Sequence, residues 1–263
     1  MKTLSFVIPV YNEEKRLQKT FSALNKFKTP KGLKLQNVIF VNDGSNDSTK
    51  LKLNSIKLSL ERKLKAKIKI ISYFPNMGKG FAVKQGMLMS NADYTLSFDA
   101  DMSTPLPEIN KFIPYINNNA PIVIGTRKNG KSTVVIHQAR IRELLGKGFT
   151  YMAKAILRLN VTDFTCGFKL FSKDAKNVIF TRSIIKRWGY DAEAMFLAKK
   201  FKFDIQEKAV LWSNDKNTKV KLYQAIPQTF MELFLIYWRH EIKPALLFIP
   251  KNLNIINRYQ VSI

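Results

Sequence analysis

Residues 94–101 read Tyr-Thr-Leu-Ser-Phe-Asp-Ala-Asp, and this octet decides the fold. A short strand-prone run, 94–98, ends in two acids spaced i and i+2. In an extended segment those two carboxylates point to the same side. Two acids together just past a strand repel each other unless a cation sits between them. Hard divalent cations such as Mg2+ and Mn2+ take a few carboxylates together with phosphate oxygens. Asp99 and Asp101 therefore point to a metal that carries a substrate diphosphate. The plain alternative is an exposed acidic turn.

Outward from this octet, the first 126 residues alternate strand and helix. The patterns predict strands at 4–10, 37–41, 67–72, 94–98 and 122–125, with helices at 13–26, 48–62 and 79–90. Short β-rich runs separated by amphipathic stretches mean βαβ units and a mostly parallel, Rossmann-like α/β sheet flanked by helices. Ligands of such sheets bind at the carboxyl ends of the strands. Four polar motifs fall at those ends: 9–13, 42–45, 76–80 and 99–101.

After residue 127 the pattern changes. Helices are expected at 138–159 and 188–201, strands at 168–172 and 203–212, and an amphipathic helical stretch at 223–247 interrupted at Pro227 and Pro244. The tail, 251–263, is basic and apolar without clear order. No linker separates the halves, so the reading is one α/β domain over 1–222 with a C-terminal amphipathic, basic, membrane-associating segment over 223–263.

Composition narrows the classes. The 263 residues are 46% apolar, enough for a substantial core. A single cysteine, Cys166, excludes an internal disulfide framework and agrees with a reducing compartment. The chain opens directly into a strand pattern, so no signal peptide is expected. The longest apolar stretches, 230–238 and 245–249, are too short to span a bilayer. The net charge of +25 calls for an anionic partner unless Lys- and Asn-rich composition alone explains it. The lysines are dispersed and no nucleic-acid-binding signature is present, so nucleic acid is not expected. An anionic membrane surface fits better.

Each motif has its own chemistry. Asn42-Asp43-Gly44-Ser45 follows a strand expected to be buried; Asp43 can accept hydrogen bonds from a base or ribose, and the same turn can cap the next helix. Asn76-Met77-Gly78-Lys79-Gly80 puts a lysine between glycines just before a helix, where backbone amides and a cation suit phosphate. Arg127 closes the fifth strand at the same edge. Cys166 beside Gly167 reads as a small buried thiol in a tight turn. His137 and His240 have no metal-ligand partner at useful spacing. Asp191 and Glu193 do not share a helix face, so at most one meets the site.

In order, Pro9-Val10-Tyr11-Asn12-Glu13-Glu14, Asn42-Asp43-Gly44-Ser45, Gly78-Lys79-Gly80 and Asp99-Ala100-Asp101 resemble the family 2 glycosyltransferases. FDADMSTP at 98–105, IGTR at 124–127, DFTCGFKLF at 163–171 and RWGYDAE at 187–193 narrow the resemblance to the dolichyl-phosphate β-glucosyltransferase branch. Trp212 followed by Thr218-Lys219-Val220 completes it, and the likeness runs from about residue 3 to 240.

The resemblance implies a GT-A fold, a UDP-sugar donor, Mg2+ or Mn2+, and a polyprenyl-phosphate acceptor. It places Pro9, Tyr11, Glu13 and Asp43 on the uridine, Lys79 near the nucleotide, and Asp99 with Ala100 at the sugar or ribose. Asp101, with Asp99, would hold the metal. Asp163 stands at the acceptor, as base or as positioning group, and Arg127 meets the developing charge. The protein would then work peripherally on the cytoplasmic face of a membrane. Three departures stand out: Asn42 in place of an acid, Met77 in place of a basic residue, and Met102 in place of a glycine. Two alternatives stay open. One is a related transferase with GDP-mannose or a UDP-N-acetylhexosamine as donor, or a polysaccharide as acceptor. The other is a catalytically silent basic module that binds membrane or nucleic acid. Oligomeric state is not legible.

Overall fold

The computed structural model describes residues 1–127, 134–136, 140–213 and 222–244. In chain order the elements are β1 (Lys2–Val10), α1 (Leu17–Lys26), β2 (Leu33–Asp43), α2 (Thr49–Leu64), β3 (Lys67–Tyr73), α3 (Lys79–Met89) and β4 (Tyr94–Ser97). A 3₁₀ segment, Leu106–Phe112, leads into α4 (Ile113–Asn117) and β5 (Ile122–Thr126). The second half holds β6 (Val134–Ile136), α5 (Arg140–Leu157), β7 (Lys169–Ser172), α6 (Lys173–Arg182) and α7 (Tyr190–Lys200). It continues with β8 (Ile205–Ala209), β9 (Trp212–Ser213), α8 (Leu222–Tyr237) and a π turn, Trp238–Ile242.

The main sheet has seven strands in the order β3-β2-β1-β4-β7-β5-β8. The pairings β3·β2, β2·β1, β1·β4 and β5·β8 are parallel, whereas β7 runs antiparallel to both β4 and β5. Strand order reverses between β1 and β4, which opens the crevice where ligands of such sheets bind. β1 and β2 are near-continuous apolar runs because helices cover both faces.

One core layer lies under α1 and α2, with Leu17, Phe21 and Leu24 of α1 at i, i+4 and i+7 against Phe6 and Phe40. The other lies under α3, α5, α6, α7 and α8. Each fully buried Leu, Ile or Phe there contributes roughly 1.5–3 kcal/mol. Gly86 lets α3 sit close on the sheet: a Cβ there would stand 2.4 Å from Val7 Cγ1.

Several boundaries differ from the sequence reading. α1 starts at Leu17, because residues 13–16 form a turn in which the Glu13 carbonyl accepts both Arg16 N–H and Leu17 N–H at 2.9 Å. α6 has no counterpart in the sequence reading; Ser172 caps it by accepting Ala175 N–H at 3.3 Å. The expected strand 203–212 is two strands in different sheets. Pro227 lies within α8 and does not interrupt it. One face of α8 belongs to the domain, with Leu233 and Ile236 fully buried, so the C-terminal segment expected from residue 223 begins as an integral helix. The tail beyond Pro244, and His137, lie outside the described residues.

Candidate active site

At the reversal crevice Lys79, the first residue of α3, meets Asp99, two residues past β4, at 2.7 Å between Nζ and Oδ1. Burial works against both charges. Lys79 nevertheless holds Asp99 below the usual carboxylate range, with help from Lys169 and Arg127. Asp99 in turn holds the lysine well above its ordinary value, with Tyr190 and Asp191 behind it. Asp101 differs. Burial, and then Asp99, push its carboxyl up, although Ser103 N–H donates to Oδ1 at 2.9 Å. Among the described residues no cation pairs with Asp101.

The turn after Asp101 carries Met102 at φ +53°, the left-handed region. A glycine would sit there without strain, and the methionine accepts it while its side chain is buried.

The glycines of the Lys79 loop serve packing, which corrects the expected phosphate cradle. Gly80 N–H and Phe81 N–H donate to the carbonyls of Arg187 and Lys186 at 3.2 and 2.9 Å. A Cβ on Gly78 would stand 2.5 Å from Lys186 O, and one on Gly80 2.6 Å from Tyr190 Cβ. The Lys79 ammonium stays at the crevice, paired with Asp99.

Asp43 is likewise turned inward. Its Oδ2 accepts Asn76 Nδ2 at 2.7 Å and Gly78 N–H at 2.9 Å, and its Oδ1 accepts Met77 N–H at 2.7 Å. The carboxylate ties the β3–α3 loop to the end of β2 and is 3% exposed. Gly44 at φ +68° allows this, since a Cβ there would meet Asn76 N at 2.5 Å.

Pro9 lies two residues past Val7, whose carbonyl accepts Phe98 N–H at 3.2 Å just beyond β4. The ring thus faces a neighbour that has ended, and no ladder bond is lost. Tyr11 is 40% exposed at the crevice rim. Glu13 pairs with Arg16 at 2.5 Å. Ala100 is buried, and its carbonyl accepts Thr20 Oγ1 at 2.6 Å.

Asp163 and Arg127 form a second unit. Arg127 Nε donates to Oδ2 at 2.7 Å, its Nη2 to Oδ1 at 2.8 Å, and its backbone N–H to Oδ2 at 3.1 Å. The guanidinium lies 5.0 Å over the Trp212 ring. Asp163 is fully buried, with its carboxylate held against Arg127. Burial, followed by Asp163, keeps the nearby Cys166 thiol high and unreactive.

Two residues escaped the sequence reading. Lys169 Nζ contacts Asp191 Oδ1 at 2.5 Å and also the Cys166 carbonyl, placing a buried ion pair beside Asp99. A Lys-x-Phe run in a short strand gives no hint of this. Gly167 touches Asp99 directly, and only its lack of a side chain marked it. Of the acids on α7, Asp191 faces the site. Glu193 turns away, accepting Ile184 N–H and Ile185 N–H at 2.9 Å and contacting His240 Nε2 at 2.8 Å.

No cluster of three or more His, Cys, Asp or Glu side chains forms a closed metal cage among the described residues. Asp101 fits the other kind of site, in which one protein carboxylate holds a hard cation and a diphosphate supplies further oxygens.

A crevice of this topology, edged by an acid pair and a lysine, is the ligand-binding edge of an open α/β sheet. The chain belongs to glycosyl transferase family 2, whose sequence model matches residues 5–180. It is 31% identical over 248 residues to a dolichyl-phosphate beta-glucosyltransferase of Drosophila melanogaster, covering 90% of this chain and 75% of the relative. The corresponding Dictyostelium discoideum protein is 32% identical over 246 residues, covering 90% and 74%. Glucosyl-3-phosphoglycerate synthase from Mycobacterium tuberculosis, solved with Mn2+, UDP-glucose and glycerol 3-phosphate, superposes with a TM-score of 0.59 at 15% identity, covering 89% of this chain and 79% of that one. The fold is GT-A.

Proposed function

We propose that the protein transfers glucose from UDP-glucose to a polyprenyl phosphate of the dolichyl type, with inversion, at the cytoplasmic face of a membrane. The observation that carries this reading is Asp101, an acid with no paired cation among the described residues, beside the Lys79–Asp99 pair at the reversal crevice. Relatives spanning 90% of the chain carry the dolichyl-phosphate glucosyltransferase name, which supports the acceptor and the sugar.

Asp101, with Asp99 adjacent, would hold Mg2+ or Mn2+, which when bound neutralises charge on the diphosphate leaving group. Lys79 lies within reach of the same phosphates and is kept protonated by Asp99. Asp99 is thereby fixed as an acceptor for a sugar or ribose hydroxyl. Tyr11 and the Pro9 backbone line the uridine side, and Asp43 acts there through the loop it anchors. Glu13 supports the rim through Arg16, and the buried Ala100 sets the spacing of the two acids. Arg127, oriented by Asp163, offers a fixed guanidinium to the acceptor phosphate or the transferred sugar. A phosphate monoester is already anionic at neutral pH, so its attack needs little help from a base.

The test is a donor panel of UDP-glucose, UDP-galactose, UDP-N-acetylglucosamine and GDP-mannose, with dolichyl phosphate as acceptor and with or without Mn2+. Metal-dependent transfer from UDP-glucose alone is expected. Preferred use of another donor, or no transfer to the lipid phosphate, overturns the assignment.

A further inference from the structure

Two surface features meet at the C-terminal end of α8. The first is an apolar stripe. Met231, Phe234, Leu235 and Trp238 are 71, 63, 40 and 50% exposed, at i, i+3, i+4 and i+7. Leu233 and Ile236 on the opposite face are fully buried. The helix therefore has two apolar faces, of which the fold uses one. A contiguous exposed stripe of large side chains is a mark of an interaction site.

The second feature is a cleft of about 410 Å³ where the π turn packs against the ends of α6 and α7. Its floor includes Leu197 and Phe201, and its rim carries Arg182, Lys200, Arg239 and Lys243. Arg182 stacks on Phe201 at 4.7 Å. Lys200 pairs with Glu241 at 3.3 Å. Arg182, Arg239 and Lys243 have no acidic partner among the described residues. Trp238 and Arg239 are adjacent, so the apolar stripe runs directly into the basic rim.

We propose that the α8 stripe and this basic cleft form one docking face for an anionic phospholipid bilayer, the stripe entering the interface and the cations meeting lipid phosphates. The charge pattern selects this occupant. An amphipathic helix with aromatic residues on one side and Arg and Lys beside them lies in the interface plane. Each nearby cation adds attraction to anionic lipid. The face also bears on the site: Glu232 of α8 accepts Gly189 N–H at 2.6 Å, next to Tyr190 under Lys79. This inference rests on the lipid-phosphate acceptor proposed above and adds the surface that brings the enzyme to it.

The experiment is co-sedimentation of the full chain with phosphatidylcholine vesicles, with and without phosphatidylserine. Variants F234E/W238E and R239E/K243E are compared with K28E/K31E, which makes the same charge change as R239E/K243E at exposed lysines elsewhere. Both docking variants should lose at least about tenfold in partition to anionic vesicles, while K28E/K31E stays within about threefold of the parent. Circular dichroism checks that each variant folds. Equal losses in all three variants would mean that diffuse charge does the binding, and the docking face fails. Unchanged vesicle binding by F234E/W238E, with a dimer of the parent dissolved by the same change, would assign the stripe to a second copy and overturn the proposal. Vesicle binding by a parent protein that transfers no sugar removes the proposed function and leaves the docking face standing. Equal transfer by parent and F234E/W238E to a short water-soluble prenyl phosphate, with loss only on vesicle-embedded acceptor, supports both.

Discussion

Gly167 presses on Asp99: a Cβ built at Gly167 would stand 2.5 Å from Asp99 Oδ2 and 2.8 Å from its Cγ. The turn before β7 thus sets where the Asp99 carboxylate lies, and Lys79 holds it there. Gly167→Ala should push Asp99 off Lys79 and lower turnover by roughly a hundredfold, the usual consequence of about an ångström of misplacement. Circular dichroism should remain native. Turnover within about twofold of the parent would show that the contact is slack.

Asp101→Asn should lower turnover by roughly a hundredfold or more and abolish the metal dependence of UDP binding. The pH profile gives a second readout. Metal binding needs the carboxylate, and burial and Asp99 raise its pKa. Metal-dependent UDP binding should therefore fall with decreasing pH, starting above the ordinary carboxylate range. The asparagine variant should lack that limb. Calorimetric titration of UDP with Mn2+ across acidic pH measures it.

Arg127→Ala deprives the fully buried Asp163 carboxylate of its guanidinium. Loss of one partner of a buried pair costs roughly 3 kcal/mol, or a Tm fall of roughly 6–10 °C. The double variant with Asp163→Asn should recover part of that loss, because the buried charge goes too. Kinetically, Arg127→Ala and Asp163→Asn should each lower turnover more than UDP affinity. Loss of UDP binding with unchanged turnover per bound donor would move this pair to the nucleotide side.

Gly44→Ala should destabilise by about 2 kcal/mol, through the left-handed φ and the clash with the backbone at Asn76. Urea denaturation measures the cost. Amide exchange at Met77 and Gly78 should quicken, since both donate to Asp43. Unaltered exchange there would mean that Asp43 does not anchor the loop.

The parallel half was legible because its signals are local. Apolar runs such as 4–10, closed by polar motifs, mark strand, turn and edge without knowledge of the rest. Asp99, Asp101, Lys79 and Arg127 were found in this way, and all four come to one crevice. What was missed depends on contacts far apart in sequence. Glycines around Lys79 read as a phosphate cradle, but Gly78 N–H donates to Asp43, and Gly80 N–H and Phe81 N–H donate to the carbonyls of Arg187 and Lys186, more than a hundred residues away. Asp43 reads as a nucleoside contact, but the Asn76 loop takes its carboxylate. Lys169 and Asp191 are twenty-two positions apart, and nothing local to either shows that the fold buries them together. α6 is short and its capping serine overlaps the end of β7, so it was absorbed into the surrounding chain.

β7 runs against β4 and β5, so it begins at the edge where they end. The site is therefore assembled from two separately encoded parts: strand ends up to Asp101, and the turn that enters β7. An evolving lineage can redraw that turn while the strand ends are inherited intact. Two positions resist such redrawing. Any replacement turn must still present an acid to Arg127 where Asp163 stands, and a residue without a side chain where Gly167 meets Asp99.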